Sequence, residues 1–292
     1  MHTNLHAQKR TILVLFLFLP LLLLAVFSLY PAVKLIELSF TNWDGIAPDY
    51  DYVGFKNFVK LFSNPKIFRT LLNNFAYFCI SIIQTLLGLY FAIILNSKLR
   101  GRNFFKSSIF MPYVLNGVAV AFMFSFLYNF ETSPINQFLR WAGLEEYCVR
   151  WLDLGYFSNF SLAFIGLWKY TGFAVVVFLG ALQSISLEYY EAAELDGATF
   201  WQKTRYITFP HIKTVVELNL LLTINGALQA YYEPYIITKG GPAGATTTFV
   251  IETIETAFTF GRFGEAAAMG VVLMCIVICV VAIQKMFIRT DD

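Results

Sequence analysis

Four residues in one stretch carry groups suited to holding a hydroxylated solute: Asn225, Gln229, Tyr232 and Glu233. Amides and carboxylates bond hydroxyls, and a tyrosine ring stacks while its O–H bonds. Their spacing of i, i+4, i+7 and i+8 puts them on one face of a helix. The bland alternative is that this stripe only holds its helix to neighbouring helices. Asn116 and Gln84 are further polar groups inside apolar runs, which are costly in lipid and therefore face a partner or a cavity. Lys169 lies about nine residues into its run, too deep to snorkel from lipid. It is expected to face a cavity or to pair with an acid such as Glu233, the alternative being contact with an anionic solute.

Hydrolytic and phosphoryl-transfer chemistry find no such footing. The motifs G-x-x-x-x-G-K-[ST], H-E-x-x-H and G-x-S-x-G are missing, and the histidines are only His2, His6 and His211, a poor supply of general bases. No catalytic residue, metal site or bound cofactor is expected, so any ATP and Mg driving this protein must be held by another chain. Cys275 and Cys279 stand four apart on one helix face without a third ligand near them, and helix packing is their expected role. Cys79 falls in a helix and Cys148 alone in an outer loop, which implies no intramolecular disulfide there.

These groups must be positioned by membrane-spanning helices. Of the 292 residues, 58% are apolar and 14% charged, and the mean hydropathy is +0.62, far above soluble globular proteins. Apolar runs of about 20 residues, enough to cross a hydrocarbon core, fall near 11–33, 73–95, 107–129, 160–183, 212–237 and 265–288. Runs such as MGVVLMCIVICVVAI are apolar on every face, unlike the alternating strands of a barrel. The expected fold is therefore an all-α integral membrane protein with six transmembrane helices. Pro20 lies inside the first, which is read as a retained span and not a cleaved signal peptide.

Charge orients the chain only weakly. A cytoplasmic N-terminus places Lys9, Arg10, Lys203, Arg205, Lys213, Lys285, Arg289 and the dense loop SKLRGRNFFK, with Lys98, Arg100, Arg102 and Lys106, on the inside. Short loops near helix ends weigh most in this rule, and both termini are read as cytoplasmic in a multi-pass protein of the cell membrane.

One compact charged module, EAAELDGATFWQKTRYITFP at 191–210, interrupts the apolar runs. It reads as a short amphipathic helix, with Leu187, Ala192 and Leu195 to one side and Glu188, Glu191 and Glu194 to another. Gly197 closes it, since glycine takes the left-handed conformation past a helix end. Pro210 is expected to open the fifth span, where a missing N–H costs nothing. A plain solvated loop is the alternative on composition. The spacing Glu191-Ala192-Ala193, three residues, Gly197, nine residues, Ile207, one residue, Phe209 and Pro210 resembles the E-A-A-x3-G-x9-I-x-L-P signature of ABC importer permeases, with Phe209 standing where Leu would. LYPAVKLIELSFTNWDG, YVGFKNFVKLFSNP, SPINQFLRWAGL, GLWKYTGF, YIITKGGPAGATTTF and FGEAAAMGVVL resemble successive segments of the carbohydrate-importing branch, similar to permeases for maltose, raffinose and glycerol phosphate.

That resemblance implies a type I ABC importer transmembrane domain. Residues 1–69 would form the head, first helix and first outer loop, 70–288 the five-helix core, and 186–210 the cytoplasmic loop whose coupling helix docks on an ATPase. Coupling would fall to Glu191, Ala192, Ala193, Asp196, Gly197, Ile207, Phe209 and Pro210. The implied partners are a second homologous permease, two ATPase subunits and an extracytoplasmic sugar-binding protein, with a sugar or oligosaccharide as solute, the bilayer as surroundings and no nucleic acid. Import of glycerol phosphate, a polyamine or another non-sugar solute is the nearest alternative. A receptor or scaffold without transport is a reading of a different class, and it would not require the E-A-A spacing.

Overall fold

The computed structural model describes residues 3–97, 99–153 and 155–287. His2, Lys98, Arg289 and the side chain of His6 lie outside the described residues. Among those described, every extended element is helical, and the one β-bridge joins Thr41 to Tyr52. The helices are α1 (Gln8–Leu38), α2 (Lys56–Phe62), α3 (Pro65–Asn96), α4 (Arg102–Val114), α5 (Gly117–Tyr128), α6 (Pro134–Trp141), α7 (Ser158–Gln183) and α8 (Leu187–Leu195). They continue with α9 (Phe200–Leu228), α10 (Phe249–Ile254) and α11 (Phe263–Phe287).

Among the described residues five helices, α1, α3, α7, α9 and α11, are long and apolar enough to cross a membrane, and the bent pair α4 and α5 makes a sixth if it is one broken span. The run 107–129, expected as a single helix, thus bends by 96°. Pro112 stands near the end of α4, and Leu115 turns extended. Asn116 then caps α5, its side-chain oxygen accepting the N–H of Val118 at 2.9 Å.

Two prolines share one accommodation. A proline inside a helix removes an N–H and pushes on the carbonyl four residues back. For Pro31 that carbonyl belongs to Phe27, inside the wide π turn Ala25–Leu29; for Pro210 it belongs to Tyr206, inside the π turn Thr204–Thr208. The extra residue of each turn makes room for the ring. Pro210 therefore does not open the fifth span: the helix already runs from Phe200, and the proline sits within it.

The chain folds as two compact units, Met1–Asn64 with Thr253–Cys275, and Pro65–Glu252 with Ile276–Asp292. In the first, the side chains from Ile12 to Leu24 along α1 are apolar and exposed, as a surface for hydrocarbon requires. The loop after α1 is closed by the buried Asn57, whose amide donates to Ser39 O (2.9 Å) and Thr41 O (2.8 Å). Asp44 accepts the N–H groups of Ile46 and Ala47, and these bonds hold its carboxyl below the usual range. Gly270 faces Leu35 of the same unit.

In the second unit α3 and α7 pack along most of their length. A Cβ at Gly88 would clash with Ala174, and one at Gly172 would meet the carbonyl of Ile109, so both glycines set how closely α7 approaches α3 and α4. Two apolar clusters fill the packing. One joins Ala92, Leu95, Val175, Phe178 and Ile212; the other joins Tyr77, Phe124, Leu162, Ile165 and Ala227. Gly172→Leu should destabilise the protein by about 3 kcal/mol, read as a lower melting temperature of detergent-purified protein than for Gly180→Leu, where nothing lies within 4 Å of an added Cβ.

Candidate functional site

The charged module is built by its caps. Ser186 accepts the N–H of Glu188 at the start of α8. At the other end Gly197, with φ of +75°, donates to Glu194 O (3.0 Å) while Ala198 donates to Ala193 O (2.9 Å). This crossed pair of bonds satisfies the last carbonyls of the helix. Thr199 and Gln202 then cap each other at the start of α9. Lys203 Nζ lies 2.7 Å from Glu194 Oε1, tying the two helices across the turn. Beneath them Tyr190 and Ile207 pack against the cluster around Phe178, and the Tyr190 hydroxyl bonds Thr208 Oγ1 at 2.9 Å. Above, Leu195 (90% exposed), Trp201 (77%) and Leu187 (72%) present large apolar groups outward, and the carboxylates of Glu191 and Asp196 stay exposed.

A second construction begins where α9 stops. The fifth run was expected to continue unbroken to 237, yet the helix breaks after Leu228, where Gln229 leaves helical conformation, and helical backbone resumes only at Tyr232, passing into the π turn Pro234–Thr238. Freed carbonyls in apolar surroundings must find donors. Asn74 supplies them, its amide donating to Ala227 O (2.9 Å) and Leu228 O (3.1 Å) while its oxygen accepts the N–H of Phe249 (3.1 Å). Asn73 donates to Thr247 O (2.8 Å), and Asn159 to Ala245 O (2.9 Å). The three consecutive threonines complete the turn, Thr246 donating to Gly241 O, Thr247 to Gly240 O and Thr248 to Ala230 O.

The break opens onto a cavity of about 450 Å³, within the range of small-ligand sites. Tyr77 and Gln84 of α3, Tyr113 of α4, and Tyr170 and Phe173 of α7 form its aromatic and amide walls, with Asn219, Asn225, Gln229, Tyr232 and Glu233 opposite. Glu233 is the one charged residue among the lining residues. Gln229 Nε2 donates to Asn225 Oδ1 at 2.7 Å.

Residues 84–290 match the model of the family described as binding-protein-dependent transport system inner membrane component. The chain belongs to that family. This permease is 34% identical over 286 residues to a probable ABC transporter permease, YurN, of Bacillus subtilis, covering 97% of this chain and 98% of that one. It is 32% identical to the diacetylchitobiose uptake system permease NgcF of Streptomyces coelicolor, covering 94% and 82%. A trehalose/maltose transport system permease, MalF, of Thermococcus litoralis is 28% identical over 89% of this chain and 88% of its own. In fold the permease matches the crystal structure of a bacterial ABC transporter involved in the import of the acidic polysaccharide alginate, with a TM-score of 0.83 at 22% identity over 99% of each chain.

The permease brings Gln84, Asn225, Gln229, Tyr232 and Glu233 together on one cavity, though not as a helical stripe, because Tyr232 and Glu233 lie beyond the end of α9. Asn116 is exposed and occupied in capping α5. Lys169 is buried beside Gly117 with its Nζ 5.4 Å from the centre of the Tyr170 ring, but it is not a lining residue and forms no ion pair with Glu233 within 4 Å. Asn73, Asn74, Asn159 and the threonine run were not singled out from sequence; their signal was polar residues placed where an apolar span begins or ends. Asn74→Leu removes three hydrogen bonds and strands two carbonyls. It should lower stability by about 3 kcal/mol and open the turn before Phe249, detectable as faster amide exchange there than in the unsubstituted protein.

Proposed function

We propose that this permease forms half of the translocation path of an ATP-driven importer of a sugar or oligosaccharide, beside a second homologous permease. Two ATPase chains use the ATP and Mg, this chain binding neither, and an extracytoplasmic binding protein delivers the sugar. The observation that carries the reading is the cavity: tyrosines for stacking, amides and a carboxylate for hydroxyls, and a volume of about 450 Å³, all inside a bundle of spanning helices. Relatives named for diacetylchitobiose and for trehalose and maltose support sugar as the solute class. A phosphate-bearing solute is disfavoured because it would find no cation among the lining residues.

In this reading both termini and the segment 186–210 are cytoplasmic, 1–69 is the head with the first span and outer loop, and 70–288 is the transporting core. The exposed Leu187, Leu195 and Trp201, flanked by Glu191 and Asp196, form the face offered to an ATPase. Ala192 and Ala193 keep α8 slim enough to enter a cleft, while Ile207, Phe209 and Pro210 join it to α9. Docking then moves α8 as a unit with the cluster around Phe178, because Tyr190 and Ile207 are packed into that cluster.

Purification of the tagged permease from its own cell should bring down an ATPase, a second permease and a binding protein, and the reconstituted complex should accumulate maltose or diacetylchitobiose only with ATP. Recovery of the permease alone, or accumulation of phosphorylated solutes in place of sugars, would overturn the reading. Gly197→Val should leave the spans folded, since nothing lies within 4 Å of an added Cβ, but the positive φ would strain the turn by about 1–2 kcal/mol. The expected loss is of sugar-stimulated ATPase activity; undiminished transport in this variant would remove the coupling role of the segment.

A further inference from the structure

The turn between α3 and α4 gathers positive charge with nothing nearby in sequence to balance it. No acidic residue stands between Asp51 and Glu131, and Arg100, Arg102 and Lys106 fall inside that stretch. None of the three has an ion-pair partner within 4 Å among the described residues. Both arginines are exposed and Lys106 is half-buried. Large apolar groups stand beside them: Phe104 is 72% exposed, and Leu99 and Phe105 are exposed as well. Exposed rings next to unpaired cations suit the boundary of a bilayer, where apolar groups enter the acyl region while cations stay among the phosphates.

The turn is firmly built. Gly101 takes φ of +81°, and its carbonyl accepts the N–H groups of Phe104 (3.0 Å) and Phe105 (3.3 Å), which starts α4. Arg102, Phe105 and Lys106 stand at i, i+3 and i+4 and so share one face of that helix. Its depth follows from packing. Leu95, one residue before the end of α3, meets Leu182, one residue before the end of α7, in a single apolar cluster. The turn therefore begins where two spanning helices both stop, and residues 97–101 are too few to carry it far from the headgroups.

We infer that this turn is a binding site for an anionic phospholipid, its headgroup phosphate among Arg100, Arg102 and Lys106 and its acyl chains against Phe104 and Phe105. A guanidinium fork matches phosphate oxygens, and cations at this depth are drawn to anionic lipid. A protein is the rival occupant. In the reading above an ATPase meets the acidic face of Glu191 and Asp196, and a partner complementary to that face carries cations, which this turn would repel. The inference needs only the spanning helices and stands apart from the sugar reading. Its consequence runs along α4, whose Ile109 lies against Gly172 of α7 and whose Tyr113 stacks on Phe173 at 5.0 Å in the cavity wall. A headgroup held at the start of α4 steadies that wall from the membrane surface.

The test places the complete purified transporter in nanodiscs of phosphatidylcholine, alone or mixed with phosphatidylglycerol, and follows amide exchange over residues 99–106. Phosphatidylglycerol should slow exchange there, and high salt should reverse the slowing. The double variant Arg100→Gln, Arg102→Gln should need about tenfold more phosphatidylglycerol for the same slowing, whereas Arg100→Lys, Arg102→Lys should stay near the wild type. Exchange that is equal in the two kinds of wild-type disc, or a Gln variant that responds like the wild type, would overturn the inference. Slowing by inorganic phosphate in phosphatidylcholine discs would overturn it in favour of a free anion. A Gln variant that sheds its ATPase chains and keeps its response to phosphatidylglycerol would overturn it in favour of a protein partner.

Discussion

Backbone carbonyls that lose their helical donor inside a membrane have no water to turn to, and this constraint governs the centre of the permease. α9 ends at Leu228, yet the carbonyls of Ala227, Leu228 and Ala230 are all bonded, by Asn74 and Thr248. Remove those donors and the chain would be driven back toward continuous helix. Gln229, Tyr232 and Glu233 line the cavity where α9 breaks and helical backbone resumes at Tyr232. The same amide that ends α9 accepts the N–H of Phe249, so one side chain fixes both edges of the turn.

The charged segment obeys a related logic at a wetter place. Its helix ends are satisfied within the segment by Ser186, by the crossed bonds at Gly197 and by the Thr199 and Gln202 pair. It meets the spans through the packing of Tyr190 and Ile207 and through the bond between the Tyr190 hydroxyl and Thr208 Oγ1. A module that is internally complete and seated on an apolar cluster moves with that cluster and does not unravel from it. This is the physical content behind a short helix serving as a handle.

Much of this was legible in the residues. Length and unbroken apolarity revealed the spans, and the spacing from Glu191 to Pro210 identified the family through its punctuation. Gly197 could be read locally because left-handed backbone is a property of one residue. The end of α9 could not, since LLLTINGALQAYYEPYIIT stays apolar and helix-compatible past Leu228; the break is set by Asn74, more than a hundred residues earlier. Pro210 misled for the converse reason, because proline opens helices and also sits inside them when a wide turn precedes it. Asn116 looked like a polar group facing a path, but a residue at a bend is first a cap. Lys169 and Glu233 show the limit of pairing by charge: the two sense each other's charge yet form no ion pair within 4 Å.

The π turn Thr204–Thr208 lies between the exposed segment and the body of α9. An extra residue in a helix can in principle creep along it, each step rotating everything beyond by about 100°, so an unpinned bulge would act as a swivel and absorb torque. Pro210 stands two residues past this one and has no N–H with which to close a regular turn behind it, so the bulge cannot travel into the span. Twist applied at Trp201 must then pass onward along α9 as rotation of the whole rod, toward the wall that carries Asn219 and Asn225. The proline makes the helix a drive shaft.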